Sequence, residues 1–430
     1  FFDLSKTLNL SNDDFIRTTE KRHKKSVEDL WNILEKKNEI YLSKYSGWYS
    51  ISDEAFYADD EIEDKDNKKV SKTSGSIVEW VEEESYFFKL SKWQGPLLKY
   101  YKDNPDFILP ETRKNEVVSF VKSGLKDLSI SRKSFSWGIK VPTNKDHVIY
   151  VWLDALTNYL SALNYPDSND KMYKSFWPAT IHLIGKDILR FHAIYWPAFL
   201  LAAGIAPPKR VYGHGWILSG EEKMSKSKGN ILDPIEIINN YGLDPLRYYL
   251  LKEVSFGNDG TISKEKLISC INSDLANNYG NLCQRVISFV ERNLNLAVPK
   301  NIKLLEEDFK ILNIYNDNYE KLLSSIDKQE INTYVNFIQS QLFNANKYFN
   351  DQEPWKKKDN KLRLNTIIYT SLELIRKISI LLYPIIPDTS LKVLNIFKLN
   401  EKNINFKTII NHDFLDQIDN IISIKILFKK

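Results

Sequence analysis

Residues 180–192 of the chain read Thr-Ile-His-Leu-Ile-Gly-Lys-Asp-Ile-Leu-Arg-Phe-His. The apolar run that ends at Gly185 is typical of a buried strand, and the residues after it are typical of a helix. A glycine at such a junction lets a ligand approach the backbone, and nucleotides bind at this edge of parallel sheets. The stretch therefore predicts an α/β domain with a nucleotide site at the carboxyl ends of its strands.

Similar strand-like runs, separated by helical stretches, occupy the chain up to about residue 260, at His147–Val151 and Arg210–His214 among others. This alternation indicates a largely parallel sheet. Residues 41–132 are different, with acidic and aromatic clusters and turn signals at Gly47, Gly75 and Gly95. The acidic run from Asp59 and the polar residues up to Ser76 predict a loop or a hairpin tip. We therefore interpret residues 41–132 as an insertion into the α/β domain.

Beyond about residue 263 the pattern is helical. Two apolar stripes recur at spacings of three and four residues, which places each on one face of a helix and predicts a helical bundle. The first stripe consists of Leu275, Tyr279, Leu282, Val286 and Phe289, and the second of Ile331, Val335, Ile338, Leu342, Ala345 and Phe349.

Length and composition exclude several classes of protein. A chain of 430 residues, 43% hydrophobic and 27% charged, fits two or three globular domains. The most apolar stretch is shorter than the roughly 20 residues of a membrane span, and without a signal peptide we expect a cytoplasmic protein. The two cysteines, Cys270 and Cys283, are far apart and predict no disulfide framework. The net charge of +4 permits binding of a polyanion without requiring it.

The segment Lys223-Met224-Ser225-Lys226-Ser227-Lys228 presents three ammonium groups in six residues. Such a loop is able to neutralise charge that develops on a phosphate leaving group, although the residues alone also fit a solvated basic loop. The first five residues match the signature loop of class I aminoacyl-tRNA synthetases. This resemblance implies that Lys223, Met224, Ser225, Lys226 and Ser227 bind ATP. It also implies that Lys223 and Lys226 stabilise the transition state of amino-acid activation.

A second segment narrows the choice of the amino-acid substrate. Trp152, Ala155, Leu156 and Tyr159 share a helix face by their spacing, which suits a pocket for a polarizable thioether or, equally, core packing. The segment from Trp152 to Tyr159 resembles the methionine-pocket motif of methionyl-tRNA synthetases. The resemblance implies methionine contacts from Trp152, Ala155 and Tyr159; Leu156 stands where many members have proline.

Residues 182–192 are also similar to that family. The resemblance implies that Gly185 and Asp187 lie on the ATP side, and Ile188 and His192 on the methionine side. By chemistry alone, Asp187 is suited to accept hydrogen bonds from ribose hydroxyls. His192 also fits a core position in which its ring nitrogens are hydrogen-bonded. Arg132, at the return from the insertion, would by the same resemblance lie near the activated amino acid and act in catalysis, where its fixed charge suits a carboxylate or phosphate.

The helical part resembles the anticodon-binding bundle of the same family. Asn281 and Arg285 lie four residues apart on one predicted helix, and Trp355 follows a proline at a chain reversal. Amide, guanidinium and aromatic groups hold and stack unpaired RNA bases, although these residues also fit an ordinary helix surface. The resemblance implies that Asn281, Arg285 and Trp355 read the anticodon of tRNA(Met).

Two departures from the family pattern stand out. Ser50 and Asp53 occupy positions where zinc-binding members carry cysteine, so we expect no zinc site and a place in the zinc-free branch. The sequence also has no His-Ile-Gly-His tetrapeptide, and the resemblance starts beyond that motif. We therefore expect a longer native protein with an added N-terminal segment, and no amino-acid activation by these residues alone.

These observations give one interpretation, an α/β Rossmann-like class I synthetase domain with an inserted connective-peptide domain and an all-α anticodon-binding bundle. The expected ranges are 1–40 and 133–222 for the catalytic domain, 41–132 for the insertion, 223–262 for the lysine loop and stem-contact region, and 263–430 for the bundle. The expected ligands are ATP with Mg²⁺, L-methionine and tRNA(Met), bound by a monomer.

Three alternatives remain open at this point. Synthetases for valine, isoleucine or leucine carry a large editing domain, for which residues 41–132 are too few. A cysteinyl enzyme would need zinc-binding cysteines, which the sequence lacks. A non-catalytic tRNA-binding protein derived from a synthetase has no need for the lysine loop.

Overall fold

The computed structural model describes residues 2–53, 55–57, 59–65, 68–134, 136–219, 222–223 and 233–428. The chain forms two compact units, residues 1–214 and residues 215–430.

The first unit mixes helices with strands. Its helices are α1 (Phe2–Thr7), α2 (Lys21–Lys36), α3 (Gln94–Asp103), α4 (Glu111–Lys122), α5 (Val151–Leu156), α6 (Asn158–Ser161), α7 (Lys171–Phe176) and α8 (Trp196–Ala203). Its strands are β1 (Ile40–Ser50), β2 (Ala55–Tyr57), β3 (Ile62–Lys65), β4 (Lys68–Ser71), β5 (Glu79–Phe88), β6 (Ile108–Leu109), β7 (Leu128–Ser129), β8 (Ser131–Arg132), β9 (Val148–Ile149), β10 (His182–Gly185) and β11 (Val211–His214). Single 3₁₀ turns cover Asp59–Glu61, Leu90–Trp93 and Lys186–Ile188, and a π-helical turn covers Phe191–Tyr195.

The predicted parallel sheet is present, with strand order β10-β11-β6. Strands β10 and β11 are the expected strands at residues 180–185 and 210–214. Strand β6 falls inside the range interpreted as an insertion. The sequence does not reveal this strand, because two residues followed by Pro110 are too few to give a strand pattern. The third expected strand, His147–Val151, is only Val148–Ile149 and pairs antiparallel with β8. It ends there because Val151 begins α5.

Residues 40–88 form mainly antiparallel structure. Strands β2, β1, β5 and β7 make a four-stranded sheet in that order, and β3 pairs with β4 as a hairpin. This hairpin lies in the range from Asp59 to Ser76, for which the sequence predicts a loop or a hairpin tip. The turn predicted at Gly47 is absent, because Gly47 lies inside β1 opposite Val81. A glycine is also tolerated within a strand. Gly75 does occupy a turn, with φ of +73°.

Helix α2 is anchored in the core of the first unit by its apolar face. Val27, Leu30, Trp31 and Leu34 follow the spacing of one helix face and are completely buried. Burying such side chains contributes about 1.5–3 kcal/mol each. Helix α2 therefore offers a fixed support for the elements that pack against it.

The second unit is mainly helical. It contains α9 (Pro234–Tyr241), α10 (Leu243–Glu253), α11 (Lys264–Cys270), α12 (Asn281–Leu294), α13 (Glu306–Asp327), α14 (Ile331–Gln352), α15 (Lys361–Leu382) and α16 (Pro387–Ile396), with a π-helical segment at Ile271–Gly280. Its 3₁₀ turns are Pro354–Lys356, Glu401–Asn403, Phe406–Ile410 and Phe414–Gln417, and its strands are β12 (Ile217–Ser219), β13 (Glu222–Lys223) and β14 (Gly260–Ile262).

Both predicted apolar stripes lie in the core of this second unit, with Phe289 and Ile331 at its partly buried margin. The first stripe begins in the π-helical segment and continues into α12, and the second follows α14. Cys270 and Cys283 are free and buried. Among the helices of the described ranges, none is long and apolar enough to cross a membrane.

Candidate active site

The segment expected to contact methionine forms two short helices instead of one. Helix α5 ends at Leu156 and α6 begins at Asn158. The hydroxyl of Thr157, between them, donates to the carbonyl of Leu153 at 2.7 Å. A threonine that bonds back to the preceding turn in this way bends a helix. The interruption falls between Leu156 and Tyr159, two of the residues predicted to share a face.

His192 and Tyr159 form a hydrogen-bonded pair. The ring of His192 has Nδ1 3.0 Å from the carbonyl oxygen of Ile188, which only accepts, so Nδ1 carries the proton and donates. Nε2 then accepts from the Tyr159 hydroxyl at 2.9 Å. Burial lowers the pKa of His192, which keeps the ring neutral, and raises the pKa of Tyr159 to about 12. The pair is thus fixed in one tautomer.

Trp152 completes this cluster. Its indole stacks on Phe191 with ring centroids 3.7 Å apart and meets the edge of His192 at 6.3 Å. Four of the six residues predicted for the methionine side are therefore brought together: Trp152, Tyr159, Ile188 and His192. Ala155 is half-buried on α5. Leu156 is 1% exposed and belongs to the core of the unit.

Sequence reasoning did not select Phe191, His182 and Trp196, which belong to the same aromatic cluster. His182 stacks on Tyr159 with centroids 3.9 Å apart, and Trp196 lies 6.5 Å from Tyr159. The aromatic density of residues 191–196 was a usable signal. The π-helical turn at Phe191–Tyr195 changes the angular spacing of these residues, however, so α-helical periodicity assigns them to the wrong faces.

His182 gives a pH-dependent prediction. It is 2% exposed, neither ring nitrogen has a hydrogen-bond partner within the described residues, and burial, aided by His192, lowers its pKa to about 3. Below about pH 6.5 the ring of His182 takes up a proton in the unfolded chain but not in the folded chain. The free energy of unfolding is therefore retained above that pH and decreases as the pH falls towards 3. We expect His182→Phe, which keeps the stacked ring, to reduce the loss of unfolding free energy by up to about 1.4 kcal/mol per pH unit in that window.

Urea unfolding of both proteins between pH 7 and pH 4 measures this difference. Titrating groups that do not interact with His182 are common to the two proteins and cancel in the comparison. Identical pH dependence of their unfolding free energies would contradict the prediction.

Gly185 and Asp187 lie together at the carboxyl end of β10. A Cβ atom on residue 185 would come 2.5 Å from Oδ1 of Asp187, too close for a non-bonded contact. Gly185 is thus required for this placement of the Asp187 carboxylate, which lies over the backbone at the strand end. Register with β11 puts Gly185 opposite His214. The two residues predicted for the ATP side are therefore adjacent at the edge where nucleotides bind in such sheets.

Arg132 is buried, with 5% of its surface exposed. Its Nη1 donates to the Ser129 hydroxyl at 2.8 Å and to the Ser131 carbonyl at 2.7 Å. The guanidinium lies over the ring of Tyr150, 4.8 Å from its centroid. Because Tyr150 directly precedes α5, Arg132 lies beside the start of the helix that carries Trp152. This burial excludes an ordinary solvent-exposed arginine at this position, and the catalytic role stays a prediction.

The lysine loop lies largely outside the described residues. The structure describes the backbone of Lys223, which pairs opposite Leu218 in the β12–β13 ladder. Met224, Ser225, Lys226 and Ser227 fall in the range that is not described. Their predicted contacts with ATP stay a prediction.

Two of the three predicted anticodon residues meet around Phe349 in the second unit. The guanidinium of Arg285 lies 5.4 Å from the Phe349 ring centroid and donates to Oδ1 of Asn350 at 2.5 Å. The Trp355 ring contacts the same phenylalanine edge-on at 6.1 Å and remains 42% exposed. Asn281 is exposed one helical turn before Arg285 on α12. This group presents an amide, a cation and an aromatic face on one side of the bundle.

Hydroxyl groups surround Asp53, one of the two residues from which the sequence analysis predicts that no zinc is bound. Its carboxylate accepts hydrogen bonds from Tyr57 at 2.7 Å, Ser74 at 2.5 Å and Ser76 at 2.8 Å. Its backbone N–H lies 3.3 Å from the hydroxyl of Ser50. Partial burial acts to raise the pKa of Asp53, but the hydrogen bonds from these hydroxyls together outweigh it and hold the pKa below its usual value. In the described part of the chain, no group of three or more His, Cys, Asp or Glu side chains is arranged to hold a metal.

Comparison with known proteins adds independent evidence. The model of the family described as "tRNA synthetases class I (M)" matches residues 2–69 and 65–287. The model described as "Anticodon binding domain of methionyl tRNA ligase" matches residues 298–430. Methionine--tRNA ligase of Rickettsia typhi is 47% identical over 435 residues, which cover 100% of this chain and 85% of the relative. Methionine--tRNA ligase of Brucella suis is 47% identical over 397 residues, covering 92% of this chain and 77% of the relative.

Solved structures agree with this result. The methionyl-tRNA synthetase of Mycobacterium tuberculosis in complex with methionyl-adenylate has a TM-score of 0.94 and 41% identity, and covers 100% of this chain and 85% of its own. The free form of the same protein gives a TM-score of 0.91 and 39% identity at equal coverage. Both family models and the identity over nearly the whole chain lead to one assignment. The chain belongs to the methionyl-tRNA synthetase family of class I aminoacyl-tRNA synthetases.

Proposed function

We propose that the protein activates L-methionine with ATP and transfers it to tRNA(Met). In the first step an oxygen of the methionine carboxylate attacks the α-phosphorus, the bond to the bridging oxygen breaks, and pyrophosphate leaves. In the second step the terminal hydroxyl of the tRNA attacks the carbonyl carbon of methionyl-adenylate and AMP leaves. The cluster of Trp152, Tyr159, Phe191 and His192 is the observation on which the choice of methionine rests.

Methionine fits this cluster chemically. Its thioether is polarizable and flexible, and packs favourably against aromatic rings. Trp152 and Phe191 offer stacked rings, and the hydrogen bond between Tyr159 and His192 holds two further rings at a fixed separation. Because His192 is neutral, the pocket presents no charge to an uncharged side chain. Shorter aliphatic side chains would leave part of the pocket empty, a difference worth about 1–3 kcal/mol per methylene group.

The ATP side is proposed to use the groups at the end of β10 and in the lysine loop. Asp187 accepts hydrogen bonds from ribose hydroxyls, and Gly185 allows the nucleotide to approach the backbone. Lys223 and Lys226, with Met224, Ser225 and Ser227 in the same loop, bind the phosphates and offset the charge that grows on pyrophosphate. Arg132 holds the reacting carboxylate or the α-phosphate. Positioning and electrostatic stabilisation account for the rate, without a covalent enzyme intermediate.

Mg²⁺ is proposed to accompany ATP, with phosphate oxygens and water as its main ligands. We infer that the protein binds no zinc, because Asp53 with its surrounding hydroxyls supplies no thiolate. Metal analysis that finds one equivalent of zinc would contradict this part of the proposal. The proposal also includes a monomeric state in the cytoplasm, which gel filtration and localisation of a tagged protein test.

Recognition of tRNA(Met) is proposed for the second unit. Trp355 offers an exposed ring on which an unpaired base stacks, and Arg285 and Asn281 offer donors for base edges. Base stacking on an aromatic side chain contributes about 1–3 kcal/mol. The contact of both Arg285 and Trp355 with Phe349 supports a common role for them.

Exchange of pyrophosphate into ATP by the full-length protein tests the proposed function. We expect the exchange to depend on methionine and not on valine, isoleucine or leucine. Tyr159→Phe removes the hydroxyl that donates to His192, and is expected to raise KM for methionine about 10-fold with KM for ATP unchanged. Tyr173→Phe, a half-buried tyrosine of the same unit, is the matched control. A protein that binds tRNA(Met) without any methionine-dependent exchange would instead be a non-catalytic relative.

A further inference from the structure

The two helices that carry Trp152 and Tyr159 are too short to hold their own conformation. Helix α5 has six residues and α6 has four, and neither has a side-chain hydrogen bond at its N-cap. Isolated helices shorter than about 12 residues are marginal in water. The separation of Trp152 from Tyr159 must therefore be set by contacts with other elements.

One imidazole ring contacts both helices. His23, in α2, is completely buried. Its Nε2 lies 2.6 Å from Oδ1 of Asp154 in α5, and its Nδ1 lies 3.0 Å from the hydroxyl of Ser161, the last residue of α6. The ring thus spans the segment between these two positions, which includes Ala155 and Tyr159.

Both hydrogen bonds of His23 have compatible chemistry. An ionised Asp154 only accepts, so Nε2 carries a proton and donates to the carboxylate. The hydroxyl of Ser161 lies 3.0 Å from Nδ1 and 2.9 Å from the Thr157 carbonyl, at the junction of the two helices, so its one proton is shared between these two acceptors. A bond to an ionised group is the stronger of the two, since charge-assisted hydrogen bonds are roughly twice as strong as neutral ones.

Helix α2 is held in place independently of His23. The hydroxyl of Ser26 donates to the Tyr165 carbonyl at 2.6 Å, and the Tyr165 hydroxyl donates to Asp29 at 2.7 Å. The apolar face from Val27 to Leu34 is buried in the core. Loss of the His23 contacts should therefore release α5 and α6 while α2 stays in place.

We propose that His23 is a positioning residue for methionine: through Asp154 and Ser161 it fixes α5 against α6, and so sets the distance between the Trp152 and Tyr159 walls of the pocket. This inference rests on the proposed function and adds a residue that does not touch the substrate. Misplacement of pocket walls acts on binding and orientation of methionine and leaves the ATP side unchanged.

Two variants separate the two contacts of the ring. His23→Gln places an amide nitrogen near the position of Nε2 and keeps the bond to Asp154, whereas His23→Asn places its amide group near Nδ1, where the amide oxygen accepts from Ser161. In pyrophosphate exchange by the full-length protein, we expect KM for methionine to rise about threefold for His23→Gln and about 10-fold for His23→Asn. KM for ATP should change by less than about twofold, because the nucleotide side does not depend on this contact.

The controls distinguish this role from plain structural support. Ser26→Ala removes another hydroxyl of α2 that does not reach α5 or α6, so it should lower stability without changing KM for methionine. Ser161→Ala removes the contact between Ser161 and His23 from the α6 side. It should reproduce the threefold rise in KM for methionine, even if the His23 variants fold poorly. Equal changes in KM for methionine and ATP, or unchanged KM with less active protein, would overturn the inference. A wild-type protein without methionine-dependent exchange would contradict the proposed function itself.

Discussion

Replacing Lys226 by alanine in the full-length protein is expected to lower kcat for methionine-dependent pyrophosphate exchange by about 10²–10³-fold. Negative charge grows on pyrophosphate as its bond to the α-phosphorus breaks, and a fixed ammonium group stabilises that state more than bound ATP. The loss should therefore appear mainly in kcat, with a small change in KM for ATP. Steady-state exchange at varied ATP concentration measures both constants.

Lys228→Ala is the matched control for this prediction. Lys228 belongs to the same basic run but lies outside the five-residue motif from Lys223 to Ser227. If the loop acted only through its total positive charge, both substitutions would have similar effects. We expect Lys228→Ala to change kcat less than about threefold, because solvent and salt screen the effect of an exposed charge on a distant transition state. Equal losses would refute the specific role of Lys226.

The sequence predicted well those features that depend on local periodicity. The stripes on α12 and α14 are buried as their spacing required, and β10 and β11 lie at the predicted residues. Gly185 also has a local explanation, because its lack of a side chain makes room for Asp187.

The features that escaped prediction depend on contacts between distant residues or on unusual local geometry. His23 and Asp154 are 131 residues apart, and a buried histidine on an amphipathic helix has no signature of its partner. The stacking of Phe191 on Trp152 and of His182 on Tyr159 requires the π-helical turn, which residue spacing does not reveal. The burial of Arg132 depends on pairing between β8 and β9, and a single arginine in the sequence is more simply read as exposed.

The largest effect on stability is expected in the second unit, at the ion pair between Glu373 and Arg376 of α15. Both side chains are completely buried, and Nη2 of Arg376 lies 2.6 Å from Oε2 of Glu373. Arg376→Met leaves the Glu373 carboxylate without its partner in the core, which costs about 3–5 kcal/mol of unfolding free energy. Lys377, whose pKa burial lowers to about 7, is near enough to compensate in part, so the lower end of this range is expected.

The same substitution should loosen the residues after α16. Arg376 donates to the carbonyls of Thr408 and Asn411 at 3.1 and 3.3 Å, and Lys377 donates to Asn411 as well. These bonds attach the segment around residues 406–411 to α15. Hydrogen exchange of the amides in that segment should accelerate in Arg376→Met, in addition to the shift of the urea midpoint for the helical unit.

The pair of Glu353 and Lys356 provides a matched control, because it has the same i, i+3 spacing but lies at the surface, with side chains 41% and 65% exposed. Lys356→Met should cost less than about 1 kcal/mol. The double variant Glu373→Gln/Arg376→Met removes the unpaired charge while its amide oxygen can still accept from Leu415, whose N–H lies 3.2 Å from Glu373. We expect this double variant to recover much of the lost stability, because the cost comes from an isolated buried charge and not from the lost attraction. If the double variant is as unstable as Arg376→Met, the hydrogen bonds of Arg376 to the 406–411 segment carry the stability instead.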